Sequence, residues 1–92
     1  MTVEELVERV KTSLGITGNY QDATLKNYVS EVLEYLKDAG VSETVLKSDA
    51  ITGIVARGVS DLWNYGSGGA EFSPYFMQRA TQLAYKVETV NP

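Results

Sequence analysis

Apolar residues recur three and four positions apart along most of this chain, which is the spacing of a buried helix face. The clearest stripe consists of Leu25, Tyr28, Val29, Val32, Leu33 and Leu36. Polar residues fill the positions between its members, and no segment reads as part of a sheet. The sequence therefore predicts an all-α fold, a small bundle of four main helices with one further short helical turn.

Capping residues in the sequence also indicate where these helices begin and end. Thr2 and Glu5 match a capping box ahead of the first helix, and Gly15 ends that helix. Asp22 is predicted to cap the second helix, and Ser73-Pro74 to begin the fourth. A chain of 92 residues is the size of one domain, so residues 1–92 are predicted to form a single helical domain.

The third long helix contains two interior glycines. Ser48 or Asp49 is its expected N-cap, and Gly53 and Gly58 follow. Each interior glycine costs about 1 kcal/mol relative to alanine, so we expect a closely approaching helix to compensate at both positions. The Gly66–Gly69 loop, GSGG, ends the helix. It lacks the Lys-Ser/Thr of a phosphate-binding loop and follows no strand, so it is interpreted as a flexible connector.

Aromatic residues crowd around this loop, five of them within 14 residues. Trp63 and Phe76 are predicted to fill the core of the bundle. Tyr65, Phe72 and Tyr75 are candidates for contact with a partner, because apolar side chains near a loop are hard to bury. The full set of predicted core residues is Leu33, Leu36, Ile54, Leu62, Trp63, Phe76 and Leu83.

Two arginines and one loop serine complete the candidate interface. Arg57 lies four residues before Asp61, so it forms either an intrahelical ion pair or a contact at the rim of an interface. Arg79 stands alone among polar residues of the fourth helix. The predicted interface set is Tyr65, Ser67, Phe72, Tyr75, Arg57 and Arg79.

Composition excludes several classes of function. The chain has no cysteine and no histidine, which excludes disulfides, thiolate or imidazole zinc sites, and catalysis by Ser-His-Asp or Cys-His sets. The helical carboxylates are interpreted as solvated faces, so no metal, cofactor or catalytic residue is predicted. The net charge of −4 disfavours binding to DNA phosphates. The start MTVEELVERV lacks the features of a signal peptide, and no apolar run approaches the ~20 residues of a membrane span.

The chain resembles the head–tail connector (adaptor) proteins of long-tailed bacteriophages and prophages. The resemblance lies in the pattern Ile51-x-x-Ile54-x-x-x-Gly58-Val59-x-Asp61-Leu62-Trp63-Asn64, a Gly-rich loop, and then Ser73-Pro74-x-Phe76. By matching position, Trp63 and Phe76 would belong to the family's hydrophobic core. The Gly66–Phe72 loop would contact a neighbouring subunit or the portal protein.

The function that this resemblance implies is structural. Such proteins form a ring of about twelve subunits beneath the portal, a head-to-tail arrangement that closes by rotation. The ring bridges the portal to the next adaptor or stopper, and DNA passes through its channel without specific binding. The resemblance thus implies a non-enzymatic protein at the head–tail junction of the virion, made in the bacterial host cytoplasm and in contact with no membrane.

Two other classes of function stay open. A generic helical protein–protein interaction module would form a defined dimer or a 1:1 complex rather than a ring. A DNA-binding regulator would need a basic recognition helix, and the fourth helix offers only Arg79 and Lys86. For a connector, we expect a chain that is monomeric or weakly associated in dilute solution, because early ring closure would bypass ordered assembly on the portal.

Overall fold

The computed structural model describes residues 1–65 and 72–90. Its helices are α1 (Val3–Leu14), α2 (Asp22–Asp38), α3 (Glu43–Leu46), α4 (Thr52–Tyr65) and α5 (Pro74–Val90), with a 3₁₀ turn at Asp49–Ile51 ahead of α4. No strand occurs within the described ranges. The predicted all-α fold of four main helices and one short helix is confirmed. None of the helices in this part of the chain is long and apolar enough to cross a membrane.

Helix α4 is the centre of the bundle. It packs against α1, α2 and α5, and α1 also packs on α2. The most deeply buried aliphatic side chains come from these helices and the 3₁₀ turn: Val10, Leu25, Val29, Val32, Leu36, Ile51, Val55, Val59 and Leu83. Helix α5 packs mainly on α4, so much of its remaining surface faces outward.

The capping box of α1 is confirmed. The Thr2 hydroxyl accepts a hydrogen bond from the backbone N–H of Glu5 (3.1 Å), and the Glu5 carboxylate accepts one from the backbone N–H of Thr2 (3.2 Å). Hydrogen bonding of the Glu5 carboxylate to the Thr2 backbone N–H first, and to the Thr2 hydroxyl second, lowers the pKa of Glu5. Gly15 ends the helix in the left-handed conformation with φ 73°.

The prediction that Asp22 caps α2 is wrong. The N-cap position is occupied by Gln21, whose side chain makes no capping bond, and Asp22 is the first helical residue. Its carboxylate accepts a hydrogen bond from Lys11 Nζ at 2.8 Å, and Asn19 Oδ1 accepts another at 3.2 Å. Lys11 is only 5% exposed, and the bond to Asp22 is the main cause of its raised pKa. The carboxylate thus pairs a nearly buried ammonium and ties α1 to α2, instead of capping a helix.

The two glycines of α4 differ in how closely other residues approach them. A Cβ atom on Gly58 would lie 2.7 Å from Phe76 Cε1 and 2.9 Å from Val32 Cγ2, so the predicted close approach of neighbouring helices is confirmed there. For Gly53 the prediction is wrong, because a Cβ atom at this exposed position would meet no heavy atom of the described chain within 4 Å. Gly53 lies on the outer face of α4, where nothing in the described part of the chain requires a glycine.

Candidate partner interface

The start of α5 is fixed on α4 by polar contacts and an aromatic ring. The Ser73 hydroxyl accepts a hydrogen bond from the backbone N–H of Phe76 (3.2 Å), which confirms the predicted N-cap. The Ser73 backbone N–H donates to Asp61 Oδ2 at 3.0 Å. The Phe76 ring is fully buried against Gly58. Asp61 therefore joins the two helices, a role that the sequence interpretation missed because it considered only pairing with Arg57.

Arg57 and Tyr75 form an exposed pair across the two helices. The predicted ion pair is present at its outer limit, with Arg57 Nε 4.0 Å from Asp61 Oδ1. The Arg57 guanidinium lies over the Tyr75 ring, 5.3 Å from its centroid, which is the geometry of a cation–π contact. The side chain of Arg57 is 52% exposed and Tyr75 is 57% exposed. The pair therefore presents a cation and an aromatic ring together to solvent.

A shallow groove runs beside this pair, between the start of α4 and α5. We call it the α4–α5 groove, and its lining residues are Ala50, Gly53, Ile54, Tyr75 and Arg79. Arg79 donates a hydrogen bond to the neutral side chain of Gln82, and no carboxylate in the described part of the chain lies within ion-pair distance of it. Among the described residues, the groove thus combines an aromatic side chain with a cation that is paired with no carboxylate, and the glycine at its lining leaves it open.

Phe72, another predicted interface residue, is engaged within the molecule. Its ring stacks on Phe76 with centroids 4.3 Å apart and lies 4.8 Å from the Tyr35 centroid. It is half-buried and packs against the core. The described part of the chain gives it an inward role at the start of α5. Ser67 and the side chain of Tyr65 lie outside the described residues.

The structure places two of the predicted core residues elsewhere. Trp63 is 36% exposed and contacts Tyr28 edge to face, with ring centroids 5.9 Å apart, so its assignment to the core is wrong. The reason is helical phase: Leu62 occupies the inward position, and the next residue points about 100° away from it. Leu33 is half-buried at the edge of the core. The other predicted core residues are buried: Leu36, Ile54, Leu62, Phe76 and Leu83.

A second charged surface lies on α2. We call it the acidic ridge, and it consists of Glu31, Glu34 and Asp38, all exposed. Their spacing of three and four residues places them on one face of the helix. None of the three takes part in an ion pair within the described ranges. Sequence interpretation treated these carboxylates only as a solvated face.

Comparison with known protein families gives a match that covers most of the chain. A family model described as Phage gp6-like head-tail connector protein matches residues 4–85, which run from the first turn of α1 through most of α5. Both the α4–α5 groove and the acidic ridge lie inside the matched range. No curated protein and no solved structure matches the chain.

Proposed function

Because the chain belongs to the family of phage gp6-like head–tail connector proteins, we propose that it assembles with copies of itself into a ring beneath the portal protein. The observation that carries this proposal is the family match over residues 4–85. The family is one of phage structural connectors, and contact with other head and tail proteins follows from membership. The finer steps proposed here are a ring of about twelve subunits, a portal above it, and the next adaptor or stopper below it.

In this role the ring joins capsid to tail at the head–tail junction of the virion and forms part of the channel for DNA. The acidic balance of the chain supports passage without gripping, because a net charge of −4 repels phosphates rather than binding them. Residues 1–92 act as one domain in the proposal. Its work is to hold other proteins in register, and no chemical step is assigned to it.

The exposed parts of the α4–α5 region support a role in protein contact. Tyr75 and the two arginines beside it are of the residue types that carry most of the energy in protein interfaces. They sit on a helix pair whose buried side is already occupied by the core. Because Ser73 and Asp61 fix the start of α5, these side chains are held in position before any partner arrives.

Size-exclusion chromatography with light scattering tests the proposal. The chain is measured at low and high concentration, alone and with purified portal protein of a candidate phage. We expect a monomer or weak association when dilute, larger species at high concentration, and capture by the portal. A fixed dimer that ignores both concentration and portal would contradict the connector role and favour a general interaction module.

A further inference from the structure

We propose that the α4–α5 groove of one copy receives the acidic ridge of the next copy, which makes the contact between copies head-to-tail. The inference rests on the proposed function, since it names the surfaces by which copies associate. The proposed partner is a second copy of this chain. Guanidinium groups at the groove would bind carboxylates of the ridge beside an aromatic ring.

The groove has the chemistry of a carboxylate site. Arg79 makes its only described side-chain contact with a neutral amide, and Arg57 meets its carboxylate only at 4.0 Å. Tyr75 is close to both arginines, since it lines the groove with Arg79 and has the Arg57 guanidinium over its ring. Two guanidinium groups flanking one aromatic ring form a local positive surface on an acidic chain. An incoming carboxylate would gain charge-assisted hydrogen bonds there.

Gly53 supplies an independent reason to place a partner in this groove. An interior helical glycine costs about 1 kcal/mol relative to alanine, and the packing of the described chain does not require it. A missing side chain at the lining keeps the groove open and lets another chain approach the α4 backbone. The contrast with Gly58 is informative, because the space beside Gly58 is occupied by Phe76 and Val32 of the same copy.

The acidic ridge is the complementary surface in charge. Glu31, Glu34 and Asp38 carry three of the negative charges that leave the chain at −4, and none forms an ion pair within the described structure. From Glu31 to Asp38 the ridge is about 10 Å long at 1.5 Å per residue. A helix ridge of this kind can offer one carboxylate to Arg79 in the groove and another to Arg57 beside it.

The two surfaces face away from each other. Val32 on the inner side of α2 reaches Gly58, so the ridge on the opposite side of α2 points away from α4. Gly53 and Arg57 lie one turn apart on the outer side of α4. The ridge of one copy therefore cannot bind in the groove of the same copy. Because two different surfaces on opposite sides of the molecule meet, the contact is heterologous. Copies are added one after another until the rotation between them closes a ring.

Sedimentation velocity on the full chain, from micromolar to about millimolar concentration, tests this contact. The groove variant is Arg79→Glu, and the ridge variant is Glu31→Gln with Glu34→Gln. We expect the wild type to associate with rising concentration and each variant to associate about tenfold or more weakly. An equimolar mixture of the two variants retains one intact ridge and one intact groove. It should form a 1:1 complex that grows no further.

Matched variants control for net charge and for folding. Lys26→Glu changes the net charge as Arg79→Glu does, and Glu4→Gln with Glu8→Gln changes it as the ridge variant does; all these side chains are more than half exposed and lie away from both surfaces. Circular dichroism should show every variant to be as helical as the wild type. The controls should associate like the wild type. Equal weakening by the controls, or no 1:1 complex in the mixture, would overturn the groove–ridge contact.

The outcome also separates this inference from the proposed function. A wild type that stays monomeric at millimolar concentration overturns the groove–ridge contact. If that same wild type is captured by the portal protein, the connector role stands without it. A chain that neither associates nor binds the portal would remove both.

Discussion

Helices α1 and α5 both pack on α4, yet they are attached in different ways. Helix α1 buries Leu6, Val7 and Val10, and its charged side chains also reach other elements: Lys11 bonds Asp22 of α2, and Arg9 bonds Asp49 of the 3₁₀ turn at 2.8 Å. Helix α5 buries one side chain per turn over its described length, namely Phe76, Ala80 and Leu83.

The difference shows which helix leaves exposed side chains available to a partner. Several polar residues of α1 contact other elements of the bundle. On α5, Tyr75 and Arg79 flank the buried strip and stay available at the α4–α5 groove. The described part of α5 is attached by the buried Phe76 ring, by Ala80 and Leu83, and by the bond from Ser73 to Asp61, and its other side chains are mostly exposed. Helix α1 thus mainly serves the fold, and α5 holds the exposed side chains on which the proposed contact between copies depends.

The largest expected effect on stability comes from removing the buried Phe76 ring that attaches α5 to α4. Phe76→Ala should lower the free energy of unfolding by about 3–5 kcal/mol, because the ring is fully buried between α4 and its own helix. Met77→Ala, at the exposed neighbouring position, should cost well under half as much. Urea unfolding followed by circular dichroism measures both. Equal losses for the two variants would show that Phe76 does not anchor α5.

The two glycines of α4 offer a paired test with opposite signs. Gly58→Ala should destabilise the fold by about 1–3 kcal/mol, because the new methyl group would meet Phe76 and Val32 at less than 3 Å. Gly53→Ala should stabilise it by up to about 1 kcal/mol, since the site is open and alanine favours the helix. Thermal and urea unfolding of both variants check the signs. A stabilising Gly58→Ala would contradict the tight junction between α4 and α5.

Removing the polar contact between α4 and α5 should have a smaller effect on the free energy of unfolding. Asp61→Ala leaves the half-buried Ser73 N–H without its acceptor and should cost about 1–2 kcal/mol. Asp61→Asn keeps an oxygen acceptor at the same position and should cost less. Urea unfolding compares the two variants. If Asn is as damaging as Ala, the negative charge beside Arg57 matters more than the hydrogen bond to Ser73.

Local signals in the sequence predicted local structure well. The Thr2–Glu5 box and the Ser73-Pro74 start act within one helical turn, so their residues alone determine the contacts. Gly58 was predictable for a related reason, since an interior glycine in an apolar stripe indicates a close neighbour. The helix count followed from periodicity, which is set by burial on one face.

Contacts between distant segments were harder to predict. Asp22 has the residue type of an N-cap and lies one residue beyond the N-cap position, and only the fold brings Lys11 close enough to bind its carboxylate. Trp63 is one position away from the inward Leu62, and hydrophobicity alone does not give the helical phase at the edge of a stripe. The α4–α5 groove depends on how two helices separate around Gly53, which no single segment encodes.

The smallest expected effect concerns α1 and depends on pH. The Thr2 backbone N–H and hydroxyl favour the ionised form of Glu5, so its pKa in the folded chain lies below the ordinary 4.5. A lowered pKa means that the carboxylate stabilises the fold above pH 4.5, and this contribution is lost as pH falls through the folded-state pKa. Wild type should therefore exceed Glu5→Gln in stability at pH 7, with the gap closing below pH 4.5. Urea unfolding across that range measures the gap, and an NMR titration of the Glu5 carboxyl locates the pKa. A gap that is constant with pH would mean that the capping box holds α1 equally well with a neutral side chain, and that the firm attachment of this helix comes from Lys11 and the apolar core instead.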